Sequence, residues 1–349
     1  MVNLQTNINR EVGILAEYIS EDLSIFIVAE NKFHSHPANG GLRLLNYESD
    51  MECIQDGFRL ANLMTRKHNI YSTGFSGGKV VARSSNISMV KDKLITITSQ
   101  LLQKLDGRML TGCDLNTDIS DMEKLFKLTP YVLAAVNSNV DASTATAMGV
   151  IGAFEAYQKC FSDDLSKGVL VHGCGSVGHM VASELVKRGI KTYTVDIDIN
   201  RTDIKGAISL GNDKNWYRKN FDVLIPCSIS GLINTHISQF LLKSKAIISA
   251  ANAPFCNDII PQKLINSNVV IVPDPLVNAG AVIADSIEKY SPESWKQASP
   301  KKVYNFVQNE VKKKCFCYLS MEQSGLTSKE IFDIMQNENE KIIGKGFLN

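Results

Sequence analysis

The chain has 349 residues, 44% of them apolar, and its 37 Lys and Arg nearly cancel its 36 Asp and Glu. That length exceeds what one hydrophobic core sustains, so two domains are expected. The balanced charge, with no basic run longer than Lys312 to Lys314, excludes a dominant nucleic-acid or membrane surface.

Absences narrow the class further. No apolar run approaches the roughly 18 to 20 residues that cross a bilayer, and the opening MVNLQTNINREVG lacks a signal-peptide apolar segment. The eight cysteines contain no CxxC, so no metal site is expected and the thiols read as reduced. A soluble cytoplasmic chain is the expectation.

In chain order, the runs LSIFIVAE (23–30), GLRLLNY (41–47) and KVVARS (79–84) read as strands. Between the last two, Ile54, Phe58, Ala61 and Met64 recur at helical spacing from Ser49, placed as an N-cap, to Lys67. After NSNVDAST (137–144) the style changes. KGVLVHG (167–173), KTYTVDID (191–198), DVLIPC (222–227), KAIISAAN (245–252) and VVIVPD (269–274) are short Val/Ile-rich runs separated by helical stretches. Such alternation predicts a parallel sheet covered on both faces, so the fold class is α/β, with a doubly wound dinucleotide-binding domain in the second half. The tail from about residue 294 reads as amphipathic helix.

The second half carries a cofactor signal. Gly173, Gly175 and Gly178 stand in GxGxxG spacing, with Ser176 and Val177 in the same turn, directly after a strand and at the start of a helix. Glycines there allow a tight turn, backbone approach to a pyrophosphate and close helix packing, while the helix N-terminus favours negative charge. Asp196 follows Gly178 by 18 residues, at the end of the next strand, where a carboxylate accepts from both ribose hydroxyls and repels a 2′-phosphate. NAD is therefore expected over NADP, although Arg201 lies nearby. Another nucleoside ligand, such as S-adenosylmethionine, is the competing reading of the loop.

The first half must then hold the substrate chemistry. STGFSGGKVVAR (72–83) is not a phosphate-binding GxxxxGK[ST] loop, because Thr73 and Val80 stand where Gly and Ser/Thr are needed. Lys67, Lys79 and Asp114 all fall at element ends. They read either as one site, with one ammonium for a substrate carboxylate, one amine for base chemistry and one carboxylate to move protons, or as separate solvated charges.

Over residues 40 to 290 the sequence resembles the Glu/Leu/Phe/Val dehydrogenase family, the amino-acid dehydrogenases, in its leucine/phenylalanine branch. The resemblance rests on GGLRLLNYES (40–49), LMTRK (63–67), GGKVV (77–81), DLNTDISDM (114–122), TAMGV (146–150), GCGSVG (173–178), PCSISGLIN (226–234), SAAN (249–252) and PDPLVNAGAVI (273–283), in the family's order. It implies NAD-dependent oxidative deamination of an L-amino acid to its 2-oxo acid and ammonia, and the reverse reductive amination. It also implies a substrate domain of residues 1–140 plus about 310–349, a Rossmann domain of 141–309, an active-site cleft between them, and a homo-oligomer, dimer or larger.

The resemblance further implies that Lys67 pairs with the substrate carboxylate, with Gly40, Gly41 and Met64 in the same site. Lys79 would be the catalytic lysine that activates water, tuned by Lys67 as a neighbouring cation, and Asp114 would exchange protons with the substrate nitrogen. Gly77 and Gly78 would clear space for the substrate Cα. Thr146 and Asn252 would hold the nicotinamide end of the cofactor, Asn278 would sit in the loop that closes the cleft, and Cys227 and Ser228 would also contact the cofactor.

Two departures bear on specificity. HPANGG (36–41) puts Asn39 where branched-chain members carry leucine, and NAGAVIADSIE (278–288) puts Asp285 where an apolar residue lines their pocket. A buried carboxylate seeks a donor or a cation, so the pair suggests a polar or cationic substrate side chain, unless Asp285 faces solvent. His68 reads as a packing or supporting residue, and Cys174 and Cys227 as small hydrophobes. Reduction of a cyclic imine with the same hydride geometry, or a non-catalytic NAD sensor, are the alternatives.

Overall fold

The computed structural model describes residues 12–30, 36–136, 138–162, 164–337 and 341–348, so residues 1–11 of the opening stretch fall outside it. The chain forms two compact units, Met1–Ser138 with Asp285–Gln297 and Glu338–Asn349, and Asn139–Ala284 with Ala298–Asn337.

The first unit is built on a mixed sheet. β1 (Val12–Ile19) and β2 (Ser24–Glu30) run antiparallel, and β2 pairs antiparallel with β5 (Ser76–Arg83). Along the other edge of β5 lie two short parallel pieces, β3 (Ala38–Asn39) and β4 (Leu42–Leu45), and β6 (Met109–Leu110) continues the sheet beyond β3. The break between β3 and β4 falls at Gly40–Gly41, where the backbone runs so close that a Cβ on Gly40 would lie 1.8 Å from the Gly78 carbonyl oxygen.

Side-chain alternation along β5 decides its two faces. Val81 joins Phe26, Val28, Cys53 and Ala61 under α1 (Asp50–Tyr71). Val80 and Ala82 join Leu94, Leu101, Leu102, Met122 and Leu125 under α2 (Lys91–Leu105) and α3 (Ile119–Leu128). Each such fully buried aliphatic contributes about 1.5 to 3 kcal/mol. Ser49 caps α1 by accepting from Glu52 N–H, as its position suggested. The helix runs on to Tyr71 and stops where Ser72 turns left-handed, φ 46°, so Lys67 lies inside its last turns.

The second unit is a parallel sheet in the order β12-β11-β10-β7-β8-β9. The strands are β7 (Val169–His172), β8 (Thr192–Val195), β9 (Ile208–Ser209), β10 (Val223–Pro226), β11 (Ala246–Ile248) and β12 (Val270–Val272). The order reverses beside β7, which is the doubly wound Rossmann arrangement, and it places the ligand crevice at the carboxyl ends of β7 and β10. α4 (Ala142–Phe161) leads into β7, the connections carry α5 (Ser176–Lys187), α6 (Thr235–Leu241) and α7 (Ile259–Ile265), and α8 (Asp274–Val277) follows β12.

The tail departs from the expected layout. α9 (Gly280–Tyr290) contains the unit boundary, and α10 (Pro292–Gln297) belongs to the first unit. The long α11 (Pro300–Gln323), with α12 (Ser328–Asn337), stays in the second unit instead of returning at about residue 310. The reason is packing against α4. Gly152 lets α11 approach until a Cβ there would sit 2.3 Å from Gln308 O, and Glu155 accepts from Gln308 and Lys312 at 2.7 and 2.8 Å. In the first unit, Ile343 N–H donates to Ser72 O at 2.9 Å and Gly344 N–H to Ser286 Oγ at 3.1 Å.

Candidate active site

The first unit gathers a buried ion network. Lys79, 6% exposed, sits on the α1 side of β5 with Nζ against Asp114 Oδ2. Arg43 of β4 forks onto the same carboxylate, Nε to Oδ2 at 3.2 Å and Nη2 to Oδ1 at 3.3 Å, and reaches Asp56 at 3.1 Å through Nη1. Burial alone would raise the Asp114 carboxyl, but the Lys79 ammonium and Arg43 guanidinium hold it well below the usual carboxylate range. Asp114 is therefore an anion. This carboxylate meets Lys79 directly, as expected of two groups in one site. Lys67 is also buried, 7% exposed, and Met64 lies half-buried one turn before it.

Gly77 and Gly78 have a different role from the one expected. A Cβ on Gly77 would meet Ala61 O at 2.1 Å and Thr65 on α1, and one on Gly78 would meet Met109 Sδ at 2.7 Å. Both open toward packed protein, so they allow β5 to lie close to α1 and β6. Gly41 adjoins the network, because a Cβ there would come within 3.0 Å of Asp114 Cβ.

Beside this network stands a second polar group. Asn39 pairs in register with Gly77, two residues before Lys79, and its Nδ2 donates to Asp285 Oδ2 at 2.8 Å. His68 supports it from α1, with Nε2 3.4 Å from Asn39 O and Nδ1 2.7 Å from Thr73 Oγ1. Burial lowers the His68 pKa to about 3, so the imidazole is neutral. Burial also pushes Asp285 up to about 7, the Asn39 amide only partly opposing it. One helical turn on, Glu288 is pushed up to about 8 by burial and by the Asp285 charge, and its Oε2 accepts from Ala135 N–H at 3.2 Å.

In the second unit the glycine turn has the features a dinucleotide requires. Gly173 takes φ 91° and presses on Ser228, and a Cβ on Gly178 would overlap Gly173 O at 1.8 Å. Gly175 is the N-cap of α5, without a side-chain cap, and the space where its Cβ would point is open. The first N–H groups of α5, from Ser176 and Val177 on, are thus left for an anion. Asp196, 8% exposed, accepts from Cys174 N–H at 2.6 Å and Asp198 N–H at 2.9 Å, which fixes it beside the turn.

At the other end, Asn278 donates to Ala250 O at 3.0 Å and Asn252 Oδ1 at 2.9 Å, while its own buried Oδ1 has no donor among the described residues. An orphaned acceptor suits a carboxamide N–H. Thr146 spends its hydroxyl on Ala142 O at 3.0 Å, one turn back in α4. Ser228 Oγ lies 2.8 Å from His172 Nδ1, and burial pushes the Cys227 thiol up, so Cys227 is no nucleophile.

The family model described as Glutamate/Leucine/Phenylalanine/Valine dehydrogenase matches residues 197–330. A phenylalanine dehydrogenase of Caldalkalibacillus thermarum is 33% identical over 280 residues, covering 76% of this chain and 75% of the relative. The chain belongs to the Glu/Leu/Phe/Val dehydrogenase family. It is accordingly an amino-acid dehydrogenase, an oxidoreductase acting on CH–NH2 groups, in a family that uses NAD or NADP. A leucine dehydrogenase of Thermoactinomyces intermedius is 31% identical over 269 residues, 74% of this chain and 73% of that one.

Solved structures agree on the fold of this dehydrogenase. L-tryptophan dehydrogenase from Nostoc punctiforme superposes with a TM-score of 0.72 at 22% identity over 94% of both chains. A hetero-hexameric glutamate dehydrogenase from Thermus thermophilus gives 0.76 at 18% identity over 91% of this chain and 84% of that one. Among the described residues, no helix is long and apolar enough to cross a membrane.

Sequence reasoning missed two residues that adjoin the candidate site residues, Arg43 beside Asp114 and Glu288 beside Asp285. Arg43 carried a signal, an arginine inside the apolar strand GLRLL, since a buried cation must find an anion. Glu288 carried a weaker one, its spacing of three from Asp285 on a helix.

Proposed function

We propose that the protein is an NAD-dependent L-amino-acid dehydrogenase for a substrate with a polar or cationic side chain. It would convert the amino acid, NAD+ and water to the 2-oxo acid, ammonium and NADH with release of a proton, and would run in reverse as reductive amination. The observation that supports this best is the buried Lys79–Asp114–Arg43 network next to the Asn39–Asp285 pair in one unit. A purely structural domain has little use for so many desolvated charges.

Lys67 would pair with the substrate α-carboxylate, and anionic Asp114 would accept from the substrate ammonium. As water adds to the imino carbon, Lys79 in its neutral amine form would take up the proton that the water releases, and the ammonium so formed would stabilise the carbinolamine. Arg43 would keep Asp114 anionic and oriented throughout. Bound NAD supplies the acceptor for the hydride that leaves Cα. Gly173, Gly175, Ser176, Val177 and Gly178 would hold its pyrophosphate, Asp196 its adenosine ribose, and Thr146, Cys227, Ser228, Asn252 and Asn278 its nicotinamide end. Asp196 would oppose a 2′-phosphate, and Arg201, at 3.4 Å from Asp198 Oδ2, is already engaged with an acid.

Lys79→Ala tests the reading. Turnover should fall by roughly two to four orders of magnitude, with NAD affinity within about twofold of wild type. Unchanged turnover would remove Lys79 from the chemistry.

A further inference from the structure

We infer that Asp285 and Glu288 form a two-carboxylate socket for an ammonium or guanidinium on the substrate side chain, with Glu288 as a specificity-determining residue. The inference rests on the dehydrogenase reading above and names its substrate class.

The two residues are three apart on α9, so their side chains share one helix face. Among the described residues each has a single protein donor, Asp285 through Asn39 Nδ2 at 2.8 Å and Glu288 through Ala135 N–H at 3.2 Å. Among the described residues neither forms an ion pair, and Asp285 Oδ1 and Glu288 Oε1 have no hydrogen-bond donor. The socket adjoins the reacting groups, because Asn39 lies two residues before Lys79 in strand register and Gly41 touches Asp114.

The surroundings are acidic or neutral. Among the described residues, the titratable groups whose charge couples to Asp285 are Glu288 and the Cys113 thiol, which burial pushes to about 11 with Asp118, Asp121, Asp285 and Asp114 adding to the rise, and the neutral His68 stands behind Asn39. A side-chain carboxylate would add a third like charge. An aliphatic side chain would cover both carboxyls and give neither a donor. A cation gives donors to both free oxygens and relieves their mutual repulsion. Since the two carboxyls, pushed up to about 7 and about 8, hold protons near neutrality, a cation must displace them on binding, and its affinity should rise with pH.

The test uses the full chain with saturating NAD and pairs of matched substrates: L-lysine against L-norleucine, and L-arginine against L-citrulline. Wild type should favour one cationic member by roughly tenfold or more in kcat/KM, and the preference should grow from about pH 6.5 to 9. Glu288→Gln keeps an oxygen for Ala135 N–H while removing the charge. It should collapse the preference by raising KM for the cationic member, and Asp285→Asn should do the same. The inference is overturned if the neutral members win in wild type or if both variants leave the ratio and its pH dependence unchanged. Failure of every amino acid to reduce NAD or NADP would instead overturn the dehydrogenase reading. Calorimetric titration of lysine and norleucine into wild type and Glu288→Gln then still reads the socket, and equal affinities would refute it.

Discussion

Replacing Asp114 with Asn should destabilise the first unit, because it leaves two buried cations short of their shared anion. Lys79 and Asp114 side chains are 7% and 18% exposed, and Arg43 is 14% exposed with its fork at 3.2 and 3.3 Å from the carboxylate. Removing one member of such a buried pair costs about 3 to 5 kcal/mol. Arg43 retains Asp56 at 3.1 Å and Asn keeps the shape of Asp, so the cost should fall near the lower limit, about 3 kcal/mol. Urea denaturation at neutral pH measures it. Lys79→Met together with Asp114→Asn should recover part of the loss, with a coupling of about 1 to 2 kcal/mol.

The pH dependence has a definite sign. The folded carboxyl is depressed, so its contribution is complete above the ordinary carboxylate pKa of about 4 and is lost as pH falls below that. Wild type should therefore lose more stability than Asp114→Asn on acidification. A cost under about 1 kcal/mol, or strictly additive single variants, would refute the buried network.

Asp285 and Glu288 have the opposite linkage. Their folded pKa values, about 7 and about 8, exceed the unfolded ones, so the stability they contribute is full below about pH 4 and drains as pH rises through 7 to 8. The double variant Asp285→Asn, Glu288→Gln should show a flatter stability profile and exceed wild type at about pH 9, and a parallel profile would contradict the burial assigned to them. Asp196→Ala should shift the ratio of kcat/KM for NAD over NADP by about tenfold toward NADP, whereas an unchanged ratio would remove Asp196 from the ribose. Gly178→Ala places a Cβ 1.8 Å from Gly173 O, so NAD affinity should drop at least tenfold by titration, and retained affinity would mean the turn does not hold the pyrophosphate.

What the sequence disclosed follows how local each feature is. The glycine turn, Asp196 and the Val/Ile-rich strands were legible because turn chemistry and strand periodicity sit within a few residues. Ser49 was legible as a cap for the same reason. Arg43 was not, because its anion Asp114 lies 71 positions away, and neither was Glu288, whose donor Ala135 is 153 positions away. Gly77 and Gly78 were misread as space for substrate because only the fold shows α1 and β6 on their open sides. The helix Pro300–Gln323 was legible as amphipathic, but an apolar stripe does not say which body it packs against, and Gly152 on α4 decides that.

Lys79 and its anion would run oxidative deamination of an amino acid with NAD. The most direct measurement is reduction of NAD and of NADP with each of the twenty L-amino acids, by wild type and Lys79→Ala in parallel. NADH should form with a polar or cationic amino acid, less NADPH should form from NADP, and Lys79→Ala should lose nearly all of the activity. Reduction of neither nucleotide by any amino acid, or equal rates in wild type and Lys79→Ala, would contradict it.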